Sequence, residues 1–219
     1  GSSPRKCYIK SNYDPHSWWE APDIYDLNSN GQTTTDTLCY GSAYVGITSS
    51  AQLSSVKWVK GQCDTVYTKY PDHGKTMPGG LANYKLFVTN NGNVPATEII
   101  VEDILPFIGD AGVIDLNGRL TQWRPNLVTP VSAPSGVTIY YSTAQNPCRT
   151  DFVASGPAGC TPANWSTILP TDPTTIQSLK FDFGTKVLNP GDQIELTWDM
   201  RAPVTAPTSG EIAWNSFAY

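Results

Sequence analysis

Tyr84-Lys85-Leu86-Phe87-Val88-Thr89-Asn90-Asn91-Gly92-Asn93, followed by Thr97-Glu98-Ile99-Ile100-Val101-Glu102-Asp103-Ile104-Leu105-Pro106, is the stretch that decides the fold class. Both apolar runs alternate with a period of two, as strands do, and the Asn/Gly cluster between them tolerates positive φ at low cost. The stretch is therefore expected to form two strands joined as a β-hairpin, the second stopped by Pro106. Alternation puts Ile99, Val101, Asp103 and Leu105 on one face of the second strand. On that reading Asp103 points inward and Glu102 outward.

The same pattern continues on both sides. Val56-Lys57-Trp58-Val59 reads as an earlier strand ended by Gly61, and Gly136–Ser142, Ile176–Phe183 and Gln193–Met200 read as later ones. Asn189-Pro190-Gly191-Asp192 is the turn between the last two of these, and Glu211–Tyr219 is a terminal strand. No stretch of helix length shows a 3.6-residue period. The chain is expected to be all-β, an antiparallel β-sandwich over residues 53–219 with an N-terminal extension at 1–52. The extension is rich in Tyr, Trp, Asp, Asn and Ser, with a strand expected at Ser42–Thr48. It is either a small separate unit or a set of strands added to the main sandwich; its few aliphatic side chains bury too little surface for independent stability, which favours the second.

Composition narrows the function classes. The 219 residues include 18 Gly, 18 Pro and 11% aromatics, while only 15% are charged, as suits strands and tight turns. The net charge of -5 and the lack of a Lys/Arg cluster argue against nucleic-acid binding. No apolar run approaches the roughly 18 residues of a membrane span, and Gly1-Ser2-Ser3 lacks the charged-then-apolar order of a signal peptide. That start reads as a cloning scar, so the chain is expected to be a fragment of a longer protein. Cys7, Cys39, Cys63, Cys148 and Cys160 follow no zinc spacing, which leaves disulfides and an extracellular setting. Cys148 and Cys160 are the expected pair, closing a loop bounded by Asn146-Pro147 and Gly156-Pro157. Among Cys7, Cys39 and Cys63 one thiol is left over, and the sequence does not say which.

Two features of the extension point to binding. Asp26, Asn28 and Asn30 occupy positions 1, 3 and 5 of a loop with Gly31 at position 6, the spacing of an EF-hand-type calcium site. Position 12 is Thr37 instead of an acidic residue; Asp36, one place early, and Asp23 upstream are the substitutes, and an Asx-rich turn explains the same residues without metal. Calcium is accordingly the candidate cofactor. Trp18 and Trp19, among Tyr13, Tyr25 and Tyr40, are candidates for a sugar or peptide groove, the alternative being that they pack over one end of the sandwich.

The order of features resembles a known family. Lys57 to Gly61, Pro78-Gly79-Gly80, the Tyr84–Asn93 unit, Val101-Glu102-Asp103-Ile104-Leu105-Pro106, Leu188-Asn189-Pro190-Gly191-Asp192 and the terminal Ala213-Trp214-Asn215-Ser216-Phe217-Ala218-Tyr219 carry it. They resemble the conserved-repeat and collagen-adhesin B-like domains of cell-wall-anchored surface proteins of Gram-positive, especially actinobacterial, bacteria. The resemblance covers roughly residues 53–219. It implies an immunoglobulin-like sandwich in an extracellular stalk or tip, with neighbouring domains of the same protein and a host or cell-surface protein or glycan as partners, and no enzymatic turnover.

Relatives of the collagen-adhesin type also carry an internal Lys-to-Asn isopeptide bond made beside a buried carboxyl. That chemistry needs a Lys kept neutral by desolvation, a carboxamide electrophile and a protonated acid on one core. Alternation nominates Lys57 (sharing a face with Val59), Asp103, and Asn215 (sharing a face with Ala213 and Phe217), with Lys85 as a competing donor. The competing reading is that Asp103 and Asn215 hydrogen-bond turns while Lys57 lies exposed. For turnover chemistry the inventory is thin: His16 and His73 sit in turn contexts, no nucleophile elbow or zinc-protease helix is present, and Glu102 and Asp103 face opposite sides of one strand. No small-molecule pocket with converging polar groups is expected.

Overall fold

A computed structural model describes residues 18–22, 29–33, 37–41, 45–154 and 156–219. The chain divides into two compact units, Gly1–Thr48 and Ser49–Tyr219. In the first, β1 (Trp18–Pro22) pairs antiparallel with β2 (Thr37–Gly41). Of the strand expected at Ser42–Thr48, residues 42–44 lie outside the described set, while Val45–Thr48 are exposed and not in a strand.

The second unit is built on strands whose alternating side chains are buried on one face. In β4 (Leu81–Asn90) the buried residues are Tyr84, Leu86, Val88 and Asn90; in β9 (Gln193–Arg201) they are Ile194, Leu196, Trp198 and Met200. These two strands lie at the centre of a four-stranded antiparallel sheet ordered β3-β4-β9-β6, with β3 at Leu53–Gly61 and β6 at Asn126–Ser132. A second antiparallel sheet is ordered β10-β5-β8-β7, with β5 at Ile100–Ile104, β7 at Thr138–Ser142, β8 at Ser178–Asp182 and β10 at Ser216–Ala218. Leu86, Val88, Leu196 and Trp198 from the first sheet meet Val101, Leu179 and Phe181 from the second in one core. The protein is an all-β sandwich.

Two expectations need correcting. β4 and β5 are not a hairpin, since they belong to different sheets; the Asn91–Asn93 turn carries the chain across the core. Fully buried Asn90 fixes that crossing: its amide donates to Val94 O (2.8 Å) and Leu188 O (2.9 Å), and its Oδ1 accepts from Gly92 N (2.9 Å). The Asn189–Asp192 turn joins β8 to β9 as expected, and it too passes from one sheet to the other. Lastly, the terminal strand is short: regular pairing begins at Ser216, and Glu211–Asn215 form no ladder.

β5 is covered on both faces, so Glu102 is not outward but 1% exposed. The cover is the excursion between β7 and β8, stapled by the Cys148–Cys160 disulfide. Phe152 packs against Ile104, Phe107, Val113 and Ala218, and the fully buried Arg149 donates to Asn146 Oδ1 and Pro147 O, both at 3.0 Å. Glu102 faces Asp151, Lys180 and Arg149; burial, then Asp151, raises its pKa to about 8. Asp151 is close enough to couple the two titrations, although neither Glu102 oxygen completes a hydrogen bond of regular geometry.

Candidate functional site

β3 and β10 are edge strands of opposite sheets, and the three residues nominated for the cross-link meet where those edges face each other. Lys57 lies on β3 opposite Leu86, with its side chain turned into the sandwich. Asp103 is central in β5, in register with Leu179 on one side and Phe217 on the other. Asn215 immediately precedes β10. Lys85, the competing donor, is on the outer face, 3.2 Å from Glu195 at the surface.

Lys57 Nζ donates to Asp103 Oδ2, and the two side chains are 12% and 0% exposed. The ammonium position is ringed by aromatic faces, 5.0 Å from the centroid of Trp198, 5.5 Å from Phe217 and 5.6 Å from Tyr84. Trp198 and Tyr84 are themselves stacked at 5.6 Å. This apolar box withdraws Lys57 from water and lowers its pKa to about 8, against the opposing pull of Asp103; Arg119 lowers it further. Burial also raises the Asp103 carboxyl, with Lys57, Arg119 and Asn215 working against it. Both shifts move the pair toward a neutral amine beside a neutral acid, the state in which the amine is nucleophilic and the acid can donate.

The polar atoms around the pair are conspicuously under-bonded. Asp103 Oδ1 and both Asn215 side-chain atoms, Oδ1 and Nδ2, are buried with no hydrogen-bond partner. Asn215 is close enough to bear on the acidity of Asp103, but its carboxamide completes no bond of regular geometry. A buried amide without partners costs about 1–3 kcal/mol, so three such atoms at one point require a reason.

A groove of about 930 Å³ opens beside this cluster. Lys57, Asn215, Tyr70, His73, Trp123 and Trp214 contribute to its lining, contrary to the expectation that no pocket with converging polar groups exists. It offers a small leaving group a way out.

The remaining nominated residues fall elsewhere. Asp26, Asn28 and Asp36 lie outside the described residues, and so does Cys7. Asn30 Oδ1 accepts from Gln32 N at 2.8 Å, an Asx turn, and among the described residues no cluster of three or more His, Cys, Asp or Glu could hold a metal. Trp18 and Trp19 are on β1, opposite Gly41 and Tyr40, and only their backbone is described. Cys63 carries a free, exposed thiol.

What the sequence reading missed is the group behind the triad. Arg119, Asp110 and Thr121 sit in the irregular stretch between β5 and β6, where no periodicity marks them. Their one sequence signal is a short cluster of charge, Asp110, Asp115, Arg119 and Arg124, around apolar Val113 and Ile114 in a chain poor in charge. No family model, curated protein or solved structure matches the chain.

Proposed function

We propose that this chain is a load-bearing, adhesive stalk or tip module of a bacterial surface protein, of the conserved-repeat and collagen-adhesin B-like kind, locked by an autocatalytic bond from Lys57 to Asn215. In this reading it is extracellular, anchored to the cell wall through other parts of its parent, immunoglobulin-like in its sandwich, and without turnover. The observation that carries it is the buried, partnerless Asn215 carboxamide beside a desolvated Lys57 and Asp103.

The step balances within the protein. Neutral Lys57 Nζ attacks Asn215 Cγ while protonated Asp103 donates to Oδ1, stabilising the oxyanion of the tetrahedral intermediate. Asp103 then relays a proton from the attacking nitrogen to Nδ2. The Cγ–Nδ2 bond breaks, the Nζ–Cγ amide remains and ammonia leaves. Each side chain reacts once, and the new amide gives the stranded oxygen of Asn215 and the Asp103 carboxyl a shared hydrogen bond.

Mechanically, the bond ties the edge of one sheet to the edge of the other. A pull on the two ends of the chain then bypasses everything between positions 57 and 215, roughly 158 residues or about 500 Å of extended chain. Single-molecule pulling from the termini tests this. A locked module gives no unfolding step of that length, and a step of about 500 Å sinks the reading.

The groove favours a second reading, a module that binds a host or cell-surface glycan or peptide, with Tyr70, Trp123 and Trp214 as aromatic contacts and Trp18, Trp19 and calcium as candidate aids. A glycan and peptide array with and without chelator separates the two: specific binding lost in Trp214→Ala supports the groove, and binding lost in Trp18→Ala or Trp19→Ala supports the extension.

A further inference from the structure

We propose that Arg119, held with Thr121 on the one carboxylate of Asp110, is a positioning residue for the Lys57 to Asn215 bond: Arg119 grips Ser216 while Thr121 grips Trp214, so that Asn215 is fixed from both sides, and Arg119 adds a positive charge whose field reaches the amine. The inference rests on the cross-link reading above and adds to it how the electrophile is aimed.

Asn215 needs such a device because the segment leading to it lacks strand pairing. Glu211–Asn215 form no ladder, and β10 starts only at Ser216. Residues 119–123 hold this segment instead. Arg119 Nη1 donates to Ser216 Oγ at 3.0 Å and to Ile104 O at 2.8 Å, and Nη2 donates to Leu105 O at 3.3 Å and to Asp110. On the other side of Asn215, Trp214 N donates to Thr121 Oγ1 at 3.3 Å, and Thr121 Oγ1 donates to Asp110 Oδ2 at 2.8 Å. Farther back, Gln122 N donates to Ile212 O at 2.9 Å, and Trp123 Nε1 to Glu211 O at 3.0 Å. One Asp110 carboxylate thus gathers the two residues that grip Trp214 and Ser216, leaving Asn215 between two fixed points.

The Arg119 and Asp110 side chains are 8% and 0% exposed. A buried ion pair contributes little to stability, because desolvating both charges offsets their attraction, so stability alone is a poor reason for it here. Aim is a better one: misplacing a reacting atom by about 1 Å costs on the order of 100-fold in rate. The groups facing Lys57 are Asp103 from β5, the phenol of Tyr84 from β4, which burial pushes up and keeps neutral, and Arg119 from the following loop. Of these, Arg119 is the fixed cation, and its charge favours the unprotonated amine.

Timed synthesis of the full chain in a cell-free system, quenched in acid and read by intact mass across a neutral-to-alkaline pH series, tests both halves. Wild type loses ammonia with a rate that climbs as Lys57 deprotonates. Arg119→Gln is expected to slow the loss by about 10-fold or more and to move the pH midpoint upward, since Lys57 then holds its proton longer. Arg119→Lys restores the midpoint but only part of the rate, because a point charge does not fork to Ser216 and two carbonyls. Thr121→Val keeps the charge and slows the reaction without moving the midpoint, which tests the clamp even if Arg119→Gln folds poorly. An unchanged rate or an unmoved midpoint in folded Arg119→Gln, with wild type reacting normally, overturns the positioning role alone. A wild type that never loses ammonia overturns the cross-link and this role with it.

Discussion

Replacing Asn215 by Ala removes the electrophile and leaves Lys57 paired with Asp103 inside its aromatic box. This makes it the cleanest of the three single substitutions, since Lys57→Ala or Asp103→Ala strands a buried partner. A bond between positions 57 and 215 closes a loop of roughly 160 residues, and the chain-entropy estimate for such a loop is about 5 kcal/mol. For a unit of this size each 1 kcal/mol moves Tm by about 2–4 °C, so Asn215→Ala is expected to melt about 10–20 °C below wild type. Calorimetry of both proteins, non-reduced and at one pH, measures it. A variant that melts with or above wild type refutes the reasoning, because an uncross-linked wild type gains from this truncation while a cross-linked one loses.

Asp103→Asn retains shape but cannot relay a proton, so the protein should fold and keep the full mass of its sequence, including the carboxamide nitrogen of Asn215; loss of ammonia in this variant excludes Asp103 as the acid. Cys148→Ser with Cys160→Ser should lower stability by about 3 kcal/mol and expose the outer face of β5, seen as faster amide exchange in β5 and β8 while β4 and β9 stay protected. Glu102 carries a pKa raised to about 8 from an ordinary 4.5, so its burial as the neutral acid adds stability that is full below 4.5, drains away as pH rises from there to 8, and changes no further above it. Glu102→Gln should flatten that decline in a pH series of melting temperatures, and an equally steep decline between those limits would remove Glu102 as its source.

Local pattern located the residues of the proposed cross-link better than it located the topology. Alternation placed Asp103 with Val101 and Leu105, and all three are buried on the core face of β5 or just after it. It failed for Glu102 because period-two reasoning assumes one wet face, whereas the cover comes from residues about 50 positions later, beyond any local signal. It missed β6, where Pro125 and Pro130 break the alternation although Leu127 and Val131 are buried. The hairpin reading of β4 and β5 failed because Asn and Gly announce a reversal without saying which sheet receives the chain. Here Gly92 is required by a close approach: a Cβ at that position would sit 2.1 Å from Ser50 O and 2.5 Å from Gln52 N. The Arg119 network was invisible for a related reason, since irregular segments have no period and their partners are set only by the fold.

The most direct measurement is the intact mass of the wild-type chain under reducing, denaturing conditions, followed by mapping of the peptide that joins the two sites. The account predicts a mass about 17 Da below that of the reduced sequence and a branched peptide containing both Lys57 and Asn215. The full sequence mass, with Lys57 and Asn215 recovered in separate linear peptides, contradicts it.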